Sequence, residues 1–218
     1  MAGVSWYTSR PEFRNSLQIL RNYLAENEFP TENPNSYQGK RGAMVVDAVT
    51  SRQRKYNPRV LKIVKSWLDS VEDPSLQALV DSPLGTKAFG LRIGESESIS
   101  QVAAALLSFG QDFSVTGDDA ICKAWADTVE DFRFTPKLDP YVGRVDGIGI
   151  ALFAYLRKLS GADAIKPDVR VRKRLHEMGF DVPEGSEALM LLCELLAQEL
   201  GIDRSRFDDY LWAEPIIK

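Results

Sequence analysis

The sequence has little of what most metal and redox chemistry needs. It carries one histidine, His176, and two cysteines, Cys122 and Cys193. Two thiols cannot build a disulfide framework, a four-thiolate zinc site or a four-thiolate iron–sulfur cluster. One imidazole excludes every mechanism that needs a pair. Long apolar stretches are missing as well. The longest run of wholly apolar or glycine residues is Gly147–Leu156, short of the ~18 residues that spanning a bilayer requires. Met1 to Trp6 show no basic segment followed by an apolar one, so no signal peptide is expected. The remainder is ordinary for a globular chain: 218 residues, 44% hydrophobic and 27% charged. That is enough to bury a core without staples, in one or two domains. The expectation is a cytoplasmic protein with no membrane partner and no metal.

The net charge of −4 conceals a segregation. Between Gly39 and Lys65 there are eight basic residues and one acid, Asp47. Between Arg133 and Leu175 there are ten basic residues and four acids. The stretch between them, Ser66 to Phe132, holds twelve acids and three basic residues, and the tail from His176 holds ten and three. Two basic blocks brought together by the fold would make a face suited to a polyanion. The plainer alternative is that each block is a solvated helix face with no partner.

Helical spacing runs nearly from end to end. Phe13, Leu17, Leu20 and Leu24 are spaced four, three, four, as are Val60, Val64, Trp67 and Val71. Ile99, Val102, Leu106 and Phe109 form another stripe; Ile121, Trp125 and Val129 a further one; Leu189, Leu192, Leu196 and Leu200 a late one. Glycines and prolines punctuate these segments, among them Gly85, Gly94, Gly110, Gly117, Pro136, Pro140, Gly161, Pro167, Gly179, Pro183 and Gly201. The pattern predicts an all-α, two-lobed chain of about ten helices. One lobe is expected over 39–164 and a second over 1–38 with 165–218, although by spacing alone roughly the first 30 residues fit either lobe.

Val145-Asp146-Gly147-Ile148-Gly149 lies between a short helix expected near Leu138–Gly143 and the apolar run Ile150–Leu159. Two glycines around one apolar residue suit a tight helix-to-helix turn. Such a turn plugs Ile148 inward and leaves the first N–H groups of the next helix available to a phosphate. About twenty residues on comes Ile165-Lys166-Pro167-Asp168-Val169-Arg170-Val171-Arg172-Lys173-Arg174. Asp168 follows a proline and suits the N-cap of a basic helix.

With these two elements at this spacing, the chain resembles the helix-hairpin-helix superfamily of DNA glycosylases, the group of endonuclease III and the adenine-specific mismatch glycosylase. That family carries a hairpin of the type Leu-Pro-Gly-Val-Gly, a helix, and then a proline followed by the catalytic aspartate. The resemblance implies the two-lobed all-α fold, DNA as partner and Asp168 as the catalytic carboxylate. It implies backbone contacts from Gly147, Ile148 and Gly149, with Lys166, Arg170, Arg172 and Lys173 as phosphate-binding candidates. Val45 to Gln53 looks like the family's early helix, which places Gln53 where a side chain wedges into the duplex. Leu196–Gly201 and Phe207–Trp212 look like its closing helices.

The sequence also departs from the family. Asp146 replaces the hairpin proline, which puts a carboxylate beside the expected phosphate or beside a monovalent cation held there. Ala151 occupies the position of the Schiff-base lysine, so a lyase step through that lysine is not available. The cysteines cannot supply the family's iron–sulfur cluster. Arg170 stands where many relatives have histidine. The reading is a monofunctional glycosylase that hydrolyses the N-glycosidic bond of a flipped base, without cofactor. Its alternatives are a non-catalytic helix-hairpin-helix DNA binder and an all-α interaction protein without nucleic acid. Trp67, Trp125, Phe132, Phe134 and Tyr141 are candidates for a base pocket, but aromatics at helical spacing more often pack inside. His176 lies eight residues past Asp168, about 12 Å along a helix, and reads as structural or solvated.

Overall fold

The computed structural model describes residues 5–29, 37–52, 54 and 56–212. Gln53 lies outside the described residues. Among those described, every regular element is helical and none is a strand. The chain divides into two compact units, Met1–Glu32 with Asp163–Lys218, and Asn33–Ala162. The breaks thus fall at 32/33 and 162/163, beside the 38/39 and 164/165 read from the sequence.

The continuous unit, 33–162, holds α3 (Arg41–Thr50), α4 (Leu61–Leu68), α5 (Leu76–Asp81), α6 (Glu95–Asp112), α7 (Asp118–Thr128) and α8 (Ile150–Leu159), with a π-helical turn over Tyr56–Val60. It is preceded in chain order by α1 (Ser5–Thr8) and α2 (Pro11–Glu26) of the other unit. The caps follow local chemistry. Ser75 heads α5 and its hydroxyl accepts from the Ala78 N–H at 3.2 Å. Asp118 and Asp119 sit in the first turn of α7, where carboxylates complement the helix dipole. α3 packs against α4, α6 and α8, and all ten of its residues are buried. Trp67 and Trp125 belong to this core at 2% and 0% exposure. Their burial excludes both as open-pocket aromatics; each such side chain contributes roughly 3 kcal/mol of burial.

Gly110, expected to break a helix, lies inside α6 instead. A Cβ there would stand 2.7 Å from Cδ1 of Ile121 on α7. The glycine serves the close approach of two helices, a tertiary demand that local punctuation does not register. The helix expected near Leu138–Gly143 is two 3₁₀ turns, Pro136–Leu138 and Val142–Arg144. The buried Asp139 carboxylate joins them, accepting from the N–H groups of Tyr141 (3.1 Å) and Gly143 (2.8 Å) and from the Trp125 indole (3.3 Å).

The discontinuous unit holds α1 and α2, then α9 (Val169–Glu177), α10 (Ser186–Leu200) and α11 (Arg204–Trp212). Phe13 of α2 meets Phe180, and the Ser16 hydroxyl donates to the Gly179 carbonyl at 2.7 Å. α11 packs against both α9 and α10.

Candidate functional site

The hairpin residues form a tight, exposed turn in the continuous unit. Gly147 has φ +82°, the left-handed region that favours glycine. Ile148 is 1% exposed and anchors the turn in the core, while Gly147 and Gly149 are exposed. The Ile148 N–H donates to the Val145 carbonyl at 3.2 Å, and the Phe153 N–H to the Gly149 carbonyl at 2.9 Å. Gly149 is the N-cap of α8, and beyond its own chain neighbours no heavy atom lies within 4 Å of where its Cβ would stand. An α-helix leaves its first N–H groups without an i−4 carbonyl. Here those groups belong to a ten-residue helix that opens on an exposed glycine.

Cationic side chains adjoin the turn. Arg52 Nη1 is 2.9 Å and Ser98 Oγ 3.4 Å from the position a Gly147 Cβ would take. The Ser98 hydroxyl donates to the Asp146 carbonyl at 3.0 Å, and the Lys137 ammonium to the Val145 carbonyl at 3.1 Å. Arg92 donates to the Arg52 carbonyl at 2.8 Å. It belongs to a loop that holds left-handed glycines at 90 and 94. At its tip Ile93 is 97% exposed. Below the loop, the nearly buried Arg54 pairs with Glu95 at 2.8 Å and reaches the Gly90 carbonyl at 3.3 Å. The sequence reading missed Ile93; its available signal was an aliphatic residue between closely spaced glycines after an arginine.

Asp168 belongs to the discontinuous unit and is the N-cap of α9. Its Oδ1 accepts from the N–H groups of Arg170 (2.9 Å) and Val171 (3.0 Å). Its Oδ2 accepts from the Trp212 indole N–H at 3.2 Å and lies 3.9 Å from the Lys166 ammonium. The Asp168 side chain is 18% exposed. The Arg170 guanidinium lies over the Trp212 ring, 4.6 Å from its centroid.

The cations of the second basic block have diverse fates. Lys166 is 6% exposed, and its backbone N–H donates to Asp208 at 3.0 Å. It is a neighbour of Asp168, not the outward phosphate contact expected of it. Arg172 donates to the carbonyls of Pro183 and Glu184, tying the following loop to α9. Lys173 is 77% exposed, with Glu177 one turn on at 3.7 Å. Arg157, buried on α8, pairs with Glu130 and donates to the Ala126 carbonyl at 3.2 Å. In the first block, buried Arg41 pairs with Asp119 at 2.5 Å and donates to the Leu159 carbonyl at 2.8 Å. Both the joined basic face and the solvated face overcounted these residues, because each treats a charge as exposed.

A second carboxylate was passed over in the sequence. Asp47 is fully buried on α3. It accepts from the hydroxyls of Tyr37, of Tyr56 at 2.5 Å and of Tyr155 at 3.3 Å. Burial, followed by the Asp47 charge, pushes the Tyr37 and Tyr56 hydroxyls well above their ordinary range. The two thiols are poor nucleophiles. Burial pushes Cys122 up to about 12 and raises Cys193 well above its ordinary value. His176 is exposed, with Nδ1 3.5 Å from the Phe180 carbonyl oxygen. Among the described residues no group of three or more His, Cys, Asp or Glu could hold a metal, and no helix is long and apolar enough to cross a membrane. No protein family, curated protein or solved structure matches the chain.

Proposed function

We propose that this protein binds DNA through the Gly147–Gly149 hairpin and releases a damaged or mispaired base as a monofunctional glycosylase, with Asp168 as the reacting carboxylate. The observation that carries the reading is the hairpin: a left-handed glycine, a buried Ile148 plug, an exposed glycine at the N-cap of α8 and Arg52 alongside. Backbone N–H groups with a guanidinium suit a phosphate and carry no sequence preference of their own. Arg52 and Arg92 supply charge, and the apolar Ile93 suits insertion between bases that are being unstacked.

A glycosidic bond that breaks with positive charge building on the sugar is stabilised by a nearby carboxylate, which also positions water. Asp168 keeps part of its surface exposed at a helix start. Ala151 carries no amine, so the expected products are a free base and an abasic strand that breaks only on added alkali. A second reading, a backbone binder without catalysis, draws support from Asp168's own role as a helix cap. One experiment separates them. Duplexes carrying a panel of lesions and mispairs are incubated with the protein, then treated with alkali. Cleavage at one lesion supports the glycosylase; salt-sensitive binding without cleavage at any lesion supports the plain binder.

A further inference from the structure

Helix capping accounts for only one of the two Asp168 oxygens. An N-cap carboxylate needs one oxygen on the N–H groups of the first turn, and Oδ1 does this at 2.9 and 3.0 Å. Nothing in capping asks for a donor on the other oxygen. Yet Oδ2 accepts from the Trp212 indole at 3.2 Å and has the Lys166 ammonium at 3.9 Å. The donor comes from α11, 44 residues away in the chain. The same helix holds the segment at a second point, because Asp208 accepts from the Lys166 backbone N–H at 3.0 Å. The indole itself is stacked under Arg170, the second residue of α9. Trp212, Arg170 and Asp168 therefore close a small ring of contacts between the end of α11 and the start of α9.

We infer that Trp212 is a positioning residue for Asp168, orienting Oδ2 for reaction through its indole N–H. This rests on the reading of Asp168 as the reacting carboxylate. An ionised carboxylate offers about four lone-pair directions. The two amides occupy those of Oδ1, and the indole occupies one of Oδ2. A sugar carbon or a water then approaches Oδ2 from the side that the indole and the Lys166 ammonium, 3.9 Å away, leave open. The indole suits this task because its N–H only donates and cannot take the proton that a base would accept. Rotation of the carboxylate is then resisted at both oxygens, and the reacting lone pair has a fixed aim.

The test uses the full chain and the duplex that the lesion panel identifies. Trp212→Phe keeps a ring for Arg170 to stack on and removes the donor. Single-turnover base release is expected to slow about tenfold with the DNA Kd unchanged, since one hydrogen bond to a charged group is lost. An unchanged rate in Trp212→Phe, with Asp168→Asn inactive, overturns the inference while leaving the glycosylase intact. A loss confined to DNA affinity also overturns it. Wild-type turnover in Asp168→Asn overturns instead the reading on which it rests. A spectroscopic measurement needs neither activity nor a foldable Trp212 variant. In the ¹H–¹⁵N spectrum, the Trp212 indole signal is expected to move in Asp168→Asn, and an indole signal that does not move removes the contact and the inference with it.

Discussion

Asp47 and Asp168 are both aspartates in strongly basic stretches, and the protein treats them in opposite ways. Asp47 is sealed in the core of its unit and surrounded by side-chain hydroxyls from three separate segments. Asp168 is held mainly by backbone N–H groups of its own helix and keeps a share of its surface in solvent. A sealed carboxylate whose partners are all fixed is part of the scaffold. One that keeps part of its surface in solvent is the better candidate for the proposed chemistry. The comparison shows that burial and the kind of donor, not the sequence neighbourhood, separate a structural acid from a candidate catalytic one.

Removing each carboxylate in turn is expected to produce opposite losses. Asp47→Ala removes the acceptor shared by three tyrosine hydroxyls and is expected to lower stability by about 4 kcal/mol, read as a shift in the urea unfolding midpoint. A shift below 1 kcal/mol would mean that water replaces the carboxylate and that the cluster is no lock. Asp168→Asn is expected to cost little stability, since asparagine caps helices as well as aspartate. Its amide N–H₂ would face the Trp212 indole N–H, donor against donor, adding about 1 kcal/mol of strain to the fold. Base release, by contrast, should fall at least about 100-fold in single-turnover assays, because the charge opposite the developing oxocarbenium is gone.

The hairpin sharpens the contrast from the other side. Arg52→Ala is expected to weaken DNA binding several-fold at low salt. It should also reduce the slope of log K against log salt by about one, the signature of a single lost phosphate contact. A slope equal to that of the unsubstituted protein would remove Arg52 from the interface. Ile93→Ala should leave the salt slope alone and slow base release at the target lesion. Equal release rates would leave Ile93 as an exposed loop residue only.

The smallest effect is proton-linked. The buried Cys122 thiol is pushed up to about 12 from the usual 9.0, and the Tyr37 and Tyr56 hydroxyls are raised above 10. In the unfolded chain these groups lose protons from about pH 9 to 10, while the folded chain keeps them. The folded state binds more protons there, so stability is full below pH 9 and falls as pH rises toward the folded values. The urea midpoint is expected to drop between pH 8.5 and 10.5. Cys122→Ala should flatten the slope by about one proton. A wild-type midpoint that holds constant over this range would contradict the burial of these groups.

What the sequence settled was local. Spacings of three and four apolar residues specify helices, because 3.6 residues per turn place those side chains on one stripe. Asp168 was legible as a cap because its partners lie two and three residues on. The Gly147–Gly149 turn was legible because the left-handed geometry at Gly147 and the plug at Ile148 both arise within a few residues. Every pairing across long separations came only with packing. Gly110 reads as a breaker until Ile121 of another helix is seen against it. Arg41, Arg157 and Lys166 read as surface charge until the fold buries them. Tyr155 meets Asp47 across 108 residues and Trp212 meets Asp168 across 44. Periodicity reports which face of a helix is apolar; it carries no information on which other segment will cover that face. The partners of a charge, and with them its role, exist only once the segments have packed.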